Sequence, residues 1–228
     1  PRAQVVDALL QNFFNLEIYA AVFPYLLRGL WTTVWLSALV IPLGAAAGLA
    51  LALGLTQSGR LAVRWSIVGY IDFFRAFPPL VLLILIYFGG PFLGIELGKV
   101  TAVALAFVLN NASYYAEVFR AGLEGVVKGQ MEAARSTGLT RAQALRHVVV
   151  PQAVKNVLPD LVGNSIEIVK LTSIASVVAM PELLRAARDA QSLVFNPSPV
   201  MLAAFMYLAL LWPLTRWLGR LEHRRARR

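Results

Sequence analysis

Long stretches without a charged residue constrain this chain more than any other feature of its sequence. No Asp, Glu, Lys or Arg lies between Arg28 and Arg60, and three further windows of this kind follow. A helix needs about 20 mainly apolar residues to cross the hydrocarbon core of a bilayer. The chain is 58% hydrophobic and only 14% charged, whereas soluble domains carry about 25% charged residues. The sequence therefore predicts a polytopic membrane protein and excludes an ordinary soluble globule.

Five membrane-spanning helices are predicted from these patterns. Four correspond to the charge-free windows, and the fifth is the apolar segment 156–180, which carries Asp160, Glu167 and Lys170. In chain order, the expected spans lie within residues 30–55, 65–95, 100–116, 156–180 and 200–214. We therefore expect an all-α integral membrane protein with five transmembrane helices in each subunit.

The distribution of Lys and Arg predicts the orientation of these helices. Connections on the cytoplasmic side of a membrane are enriched in both residues. The first connection, the third connection and the C-terminal tail are rich in them, and the third contains Arg120, Lys128, Arg135, Arg141, Arg146 and Lys155. The N-terminus is therefore expected outside and the C-terminus inside. The net charge of +9 then reflects cytoplasmic segments and does not indicate a nucleic-acid partner.

Three regions follow from this topology. Residues 1–25 are expected to form an external amphipathic segment on the outer membrane interface. Residues 26–219 form the transmembrane domain, with a cytoplasmic helix around residues 130–145. Residues 220–228 form a basic cytoplasmic tail next to a span, where we expect contact with the headgroups of membrane lipid.

The third connection contains a predicted helix, a tight turn and a second helix. Residues 131–137 are good helix formers, and Gly138 is a natural C-terminal stop. Thr140 and Gln143 have the spacing of a capping box that opens the next helix. A short helix with small side chains suits docking into a groove of a partner protein. A plain amphipathic connector explains the same residues equally well.

The motifs in this region resemble those of a known family. The segment contains Glu-Ala-Ala, then Gly138, then an aliphatic pair and Pro151, which is similar to the EAA signature of the permease subunits of ABC importers. The flanking motifs resemble the polar amino-acid branch of that family (histidine, glutamine, arginine and opine permeases). These motifs are Tyr114, Glu117, Phe119-Arg120, Gly122 and Lys128-Gly129-Gln130 before the signature, and Gly163-Asn164, Lys170, Thr172-Ser173 and Pro181-Glu182-Leu183 after it.

The resemblance implies a function and a set of partners. A chain of this family is the transmembrane subunit of an importer and moves polar amino acids into the cytoplasm by alternating access. It pairs with a second permease subunit, identical or paralogous, and receives its amino-acid substrate from an external binding protein. A separate ABC ATPase subunit binds ATP and Mg²⁺, so we expect no cofactor, catalytic residue or metal ligand in this chain. The residues expected to contact that ATPase are Glu132, Ala133, Ala134, Gly138 and Leu139.

The charged and polar residues of the fourth predicted span are candidates for the substrate path. Ionisable residues inside a span are costly and often functional. The expected path residues are Asn164, Glu167, Lys170, Leu171, Thr172 and Ser173. We favour a lining role for Asn164, Thr172 and Ser173, and a structural role for the Glu167–Lys170 pair. Related permeases commonly have a polar residue where this chain has Leu171, which argues against a cationic substrate in this subunit's own site.

Three local features add further expectations. Asp72 and Arg75, and likewise Glu117 and Arg120, are spaced to form ion pairs on one helix face. The two prolines at 78–79 are expected to kink the second span.

Other functions remain open on the residues alone. A stand-alone secondary carrier would need mid-membrane residues for a coupling ion and usually an internal repeat, and neither is visible. An intramembrane enzyme would need paired catalytic side chains at membrane depth, such as two aspartates or Ser with His, and the sequence around Asp160 does not show this pattern. A membrane scaffold that recruits a soluble partner requires only the helix around residues 130–145.

Overall fold

The computed structural model describes residues 2–226, with side-chain environments for residues 4, 7 and 9–223. Regular structure in this part of the chain is entirely helical. The first half comprises α1 (Arg2–Phe13), α2 (Leu16–Gln57), α3 (Leu61–Ala76), α4 (Pro79–Ile84) with its π and 3-10 continuation to Leu93, and α5 (Lys99–Glu124). The second half comprises α6 (Lys128–Ser136), α7 (Arg141–Ala144) with a π continuation (Leu145–Val149), α8 (Val150–Asn156), α9 (Leu158–Leu171) with a 3-10 continuation (Thr172–Val178), α10 (Leu183–Val194) and α11 (Ser198–Ala226).

The helix α2 is longer than the span expected from the sequence. It contains 42 residues and begins just after Asn15, whose side-chain oxygen accepts hydrogen bonds from the amides of Glu17 and Ile18 at 3.1 Å. A side-chain acceptor at this position satisfies amides that have no partner within the helix. The expected boundary between residues 25 and 26 therefore lies inside α2. The preceding segment forms α1, and Arg227 and Arg228 of the predicted basic tail lie outside the described residues.

The core is built where α2 packs along α5. Leu36 and Val40 of α2 pack in one buried cluster with Phe107 and Tyr115 of α5. At Gly48 the two backbones approach so closely that an added Cβ atom would lie 2.4 Å from the Tyr115 Cβ and 2.9 Å from the Ala116 nitrogen. Such contacts are typical of membrane helices, where small residues allow close packing. The helix α5 thus lies in the interior of the bundle.

Three of the described helices are long and apolar enough to cross a membrane, or four if the bent α3–α4 pair forms one span. The helix α5 is not among them, because its middle contains the buried polar residues Asn110, Asn111 and Ser113. A helix surrounded by other helices does not need a fully apolar surface. Length and composition therefore give fewer spans than the five expected from the sequence.

The predicted kink at the two prolines is confirmed and is large. The segments Leu61–Ala76 and Pro79–Leu93 meet at an angle of 99°. The carbonyl groups that this break leaves without a helical partner are used by α5. Asn110 Nδ2 donates to the Phe74 oxygen at 2.7 Å, and the Tyr114 hydroxyl donates to the Arg75 oxygen at 3.4 Å.

One of the two predicted ion pairs near this bend is confirmed and the other is wrong. Arg120 contacts Glu117 at 2.7 Å and also Glu124 at 2.9 Å. Arg75 does not pair with Asp72 in the described structure. Its guanidinium carbon lies over the ring of Tyr114, 5.7 Å from the centroid. The side chain is directed toward α5, where an aromatic face attracts a cation.

The bundle has two ends, named here for the short helices that they carry. At the α6 end, Arg141 Nη2 donates to Gln57 Oε1 at 3.0 Å, which joins the start of α7 to the last residue of α2. At the α10 end, the first turns of α2 and α11 meet: Ser198 Oγ accepts from the Asn15 amide at 3.3 Å. Lys99, the first residue of α5, donates to the Ala179 oxygen at the same end.

Replacing Gly48 with alanine should destabilise the bundle, because the added methyl group meets backbone atoms of α5 that cannot rotate away. Overpacking of this kind costs about 1–3 kcal/mol. Gly44 on the same helix is the matched control, since an added Cβ there finds its nearest neighbour at 3.5 Å, an ordinary contact distance. Thermal unfolding in detergent should show a lower Tm for Gly48→Ala than for Gly44→Ala. Equal Tm values would contradict the close approach.

Candidate functional site

The helix α6 and the turn after it form the predicted docking segment. The helix ends at Ser136, and Gly138 follows with φ of +91°. This left-handed conformation is easily adopted by glycine and strained for other residues. An added Cβ at Gly138 would find no atom within 4 Å, so the backbone angle and not the available space requires glycine. The predicted role of Gly138 as a helix stop is confirmed.

The second helix of the segment starts with the predicted capping box. The Gln143 amide donates to Thr140 Oγ1 at 3.3 Å, and the Thr140 amide donates to Gln143 Oε1 at 2.9 Å. Each side chain thereby satisfies an amide that lacks a helical partner. The turn therefore has fixed geometry on both sides, and Arg141 attaches it to α2.

The five residues expected to contact an ATPase do not share one face. Glu132, Ala133 and Gly138 are exposed, and Leu139 is half-buried. Ala134 is only 7% exposed and packs toward the interior of the chain. Its side chain therefore holds α6 against its own subunit. The sequence places Ala133 and Ala134 side by side, but only the packing of α6 shows which one faces outward.

A cavity of about 710 Å³ lies between α6 and the ends of α2 and α5. Its walls combine apolar and charged side chains. The apolar ones include Leu123, Val126, Met131, Leu145 and Val149, and the charged ones are Glu124, Lys128, Glu132, Arg135 and Arg141. Such a lining can receive apolar and charged groups of a second protein at the α6 end.

A second cavity contains most of the predicted path residues. Its volume is about 510 Å³ and it lies between α5 and α9, near the bend at Pro79. The residues that line it are Pro79, Asn110, Asn111, Tyr114, Asn164, Glu167, Lys170, Leu171, Ser173 and Ile174. Of the six expected residues, five lie here. Thr172 does not, because it is fully buried and its hydroxyl donates to the Val169 oxygen at 2.7 Å.

Asn164 lies at the wall of this cavity, but its side-chain nitrogen is buried. Its side chain lies beside the Tyr115 hydroxyl, which donates to Ser165 Oγ at 2.8 Å. No acceptor among the described residues is in hydrogen-bonding geometry with the buried Asn164 Nδ2. A buried donor without a partner costs about 1–3 kcal/mol.

Glu167 and Lys170 form the expected ion pair at the wall of the same cavity. The distance between Lys170 Nζ and Glu167 Oε1 is 2.6 Å, and the side chains are 50% and 67% exposed for Lys170 and Glu167. An exposed pair of this kind contributes little to stability, about 0–1 kcal/mol. The pair lies at the wall of the cavity, and its structural role stays a prediction.

Sequence reasoning missed the contribution of α5 to this cavity. Asn110, Asn111 and Tyr114 form the opposite wall. Two adjacent asparagines in the middle of an otherwise apolar window were the available signal. The Nδ2 groups of Asn110 and Asn111 are satisfied by the oxygens of Phe74 and Phe107 at 2.7 and 2.8 Å, which fixes both amide planes.

Comparison with known proteins identifies the family. Residues 41–227 match the family described as binding-protein-dependent transport system inner membrane component. The chain belongs to this family of ABC importer permeases. It is therefore a transmembrane subunit, and the segment around α6 is the EAA region of such a permease.

Individual relatives agree with this assignment. The chain is 37% identical over 179 residues to the Bacillus subtilis protein named Probable amino-acid ABC transporter permease protein YckA, covering 78% of each chain. It is 31% identical over 205 residues to the arginine transport system permease protein ArtQ of the same organism, covering 88% of this chain and 93% of ArtQ. A crystal structure of an amino acid ABC transporter with histidines superimposes with a TM-score of 0.80 and 34% identity, over 93% of this chain and 98% of that chain.

A valine at position 138 should loosen the turn of this permease. A side chain in the left-handed conformation costs about 1–2 kcal/mol, and a β-branched one restricts the backbone further. Amide hydrogen exchange of residues 128–144 should therefore be faster in Gly138→Val than in wild type. Gly129→Val is the matched control, because Gly129 is a helical residue of α6 with no atom within 4 Å of an added Cβ. Equal acceleration in both variants would argue against a special role of the turn.

Proposed function

We propose that this permease moves polar amino acids into the cytoplasm by alternating access, driven by a separate ABC ATPase that binds ATP and Mg²⁺. The observation that carries the proposal is the second cavity, whose wall carries an exposed pair of opposite charges, Glu167 and Lys170. The ammonium and carboxylate groups of an amino acid complement the charges of Glu167 and Lys170. The names of the relatives, which include amino-acid and arginine permeases, support the same substrate class.

The proposed topology has five crossings. They are α2, the bent α3–α4 pair, α5, α9 with its 3-10 continuation, and α11. The α6 end faces the cytoplasm, since its connections contain six Lys and Arg residues between positions 120 and 155 and cytoplasmic connections are rich in both. The N-terminus and α10 then lie outside, and the C-terminal tail lies inside.

Two permease subunits, identical or paralogous, together enclose the pathway. The helix α6 of each subunit docks into a groove of an ATPase subunit, with Glu132, Ala133, Gly138 and Leu139 at the contact. Ala134 supports this helix from inside, as its burial indicates. An external binding protein delivers the amino acid at the α10 end.

The docking proposal predicts a selective loss of coupling in Ala133→Trp. The indole ring would separate α6 from the ATPase groove without touching the helical bundle. Ala62→Trp is the matched control, because Ala62 is an exposed residue at the same end of the bundle but on α3. The measurement is ATP-dependent uptake of radiolabelled glutamine and arginine into proteoliposomes that contain both permeases, the ATPase and the binding protein.

We expect wild type and Ala62→Trp to transport and Ala133→Trp to lose uptake together with binding-protein-stimulated ATP hydrolysis. Full coupled uptake in Ala133→Trp would exclude the docking role of α6. Absence of any amino-acid uptake in wild type would exclude the proposed substrate class, and a membrane scaffold would then explain the chain better.

A second prediction concerns Leu171, an apolar residue on the wall of the cavity. Leu171→Asp should place a carboxylate beside the substrate and increase uptake of arginine relative to glutamine by about tenfold, the effect of one hydrogen bond to a charged group. Leu171→Asn has nearly the same shape without the charge and should leave the ratio unchanged. The ratio of initial uptake rates is the measurement. An unchanged ratio in Leu171→Asp would place the choice of substrate in the partner subunit or the binding protein.

A further inference from the structure

The buried carboxylate of Glu182 is used by neither the docking segment nor the proposed path. It lies at the start of α10 and is fully inaccessible to solvent. Burying an ionised carboxylate is costly unless hydrogen bonds replace its hydration. Burial raises the pKa of the Glu182 carboxyl, and the amides of Leu184 and Arg185, the Tyr207 hydroxyl and the Arg188 charge lower it. A carboxylate buried at this cost is expected to have a structural or functional role.

The hydrogen bonds of Glu182 join two helices. Oε1 accepts from the Arg185 amide at 2.7 Å, and Oε2 accepts from the Leu184 amide at 2.8 Å. These two bonds cap the first turn of α10. Oε2 also accepts from the Tyr207 hydroxyl of α11 at 3.0 Å. The carboxylate therefore fixes the start of α10 to α11.

Further contacts attach the same point to α2. The Leu183 amide donates to Thr33 Oγ1 at 3.3 Å. An added Cβ at Gly29 would lie 2.8 Å from the Ala186 Cβ and 3.0 Å from the backbone carbonyl oxygen of Glu182. The first turn of α10 is thus in direct contact with the backbone of α2, and it cannot shift unless α2 or α11 moves with it.

The chain that leads from the second cavity to Glu182 is short and partly buried. Only eight residues separate Ser173 of the second cavity from Glu182. Thr172, Ala175, Val178 and Met180 within or beside this stretch are buried. Ala179 has φ of +54°, which is unusual for a residue other than glycine, and its carbonyl oxygen accepts from Lys99 Nζ at 3.2 Å. The Tyr207 hydroxyl lies beside the side chains of Thr33 and Thr172.

We propose that Glu182 is a positioning residue for transport: it joins α10 to the wall of the second cavity, so that the two move as one body. The inference rests on the proposed function, in which α10 lies on the external face. There α10 exposes the Arg185–Asp189 ion pair, with a distance of 2.9 Å, on the side where the binding protein acts. A displacement of α10 then reaches Lys170, Leu171 and Ser173 through these eight residues.

Tyr207→Phe tests this inference with the smallest possible change, because it removes one hydroxyl group and leaves the ring in place. Tyr25→Phe is the matched control, since Tyr25 is exposed on α2. Glu182→Gln is a stronger variant, because one of its two terminal atoms becomes a donor that faces a donor amide. Each variant is assembled with the partner subunit, the ATPase and the binding protein.

Two measurements separate positioning from general stability. Amide hydrogen exchange of residues 183–194 should become about tenfold faster in Tyr207→Phe, the effect of losing one hydrogen bond to a charged acceptor. The ratio of binding-protein-stimulated to basal ATP hydrolysis should fall, while basal hydrolysis stays at the wild-type level. Glu182→Gln should show both effects more strongly, and Tyr25→Phe should show neither.

The inference is overturned if exchange of residues 183–194 is unchanged in Tyr207→Phe, or if basal and stimulated hydrolysis fall together. Unchanged exchange would mean that Glu182 does not hold α10 in place. A joint fall of basal and stimulated hydrolysis would mean that Glu182 contributes only to the stability of the protein. A wild-type complex that hydrolyses ATP in response to the binding protein without moving amino acids would overturn the proposed substrate and leave the positioning role supported. Failure of the proposed substrate class can therefore be told apart from failure of the positioning role.

Discussion

The close approach of α2 and α5 at Gly48 is the contact on which the rest of this permease depends. Lipid chains are as apolar as leucine side chains, so membrane helices associate through close packing and internal hydrogen bonds. The absence of a side chain at Gly48 lets the backbone of α5 lie against α2. This places Tyr115 where its hydroxyl can donate to Ser165 of α9 at 2.8 Å. The packing of α5 against α2 therefore sets the position of α9, which forms one wall of the second cavity.

Because α5 is enclosed, it can carry polar groups that a lipid-facing helix could not. Away from water, each of these groups needs a partner within the protein. The side-chain donors of Asn110, Asn111 and Ser113 are all satisfied by backbone oxygens, two of them within α5 and one at the broken helix before Pro79. The polar side chains of Asn110, Asn111 and Ser113 therefore belong to the packing of the bundle. Asn164 opposite them keeps an unused donor.

Local patterns allowed the helix–turn–helix around α6 to be predicted, since Gly138, Thr140 and Gln143 act on neighbouring residues of the chain. The bend after Phe77 followed in the same way from two prolines. Features that depend on packing could not be predicted. Helical periodicity alone did not show that Ala134 faces inward, that Arg75 turns away from Asp72 toward Tyr114, or that Asn110 and Asn111 face α9. Each of these outcomes depends on how a helix is rotated against a neighbour distant in sequence.

The hydrogen bond between Arg141 and Gln57 allows a small tilt of α2 at the α6 end to produce a larger displacement farther along the helix. It attaches the turn after α6 to the last residue of a helix of 42 residues, which is about 60 Å long. A tilt of about 5° around one end of a rod of that length displaces the opposite end by about 5 Å. Gly29 and Thr33, against which α10 rests, lie 28 and 24 residues before Gln57, about 36–42 Å along the helix, so the same tilt displaces them by about 3–4 Å. A tilt of a few degrees at the α6 end is thus enlarged to a displacement of about 3–4 Å where α10 rests on α2.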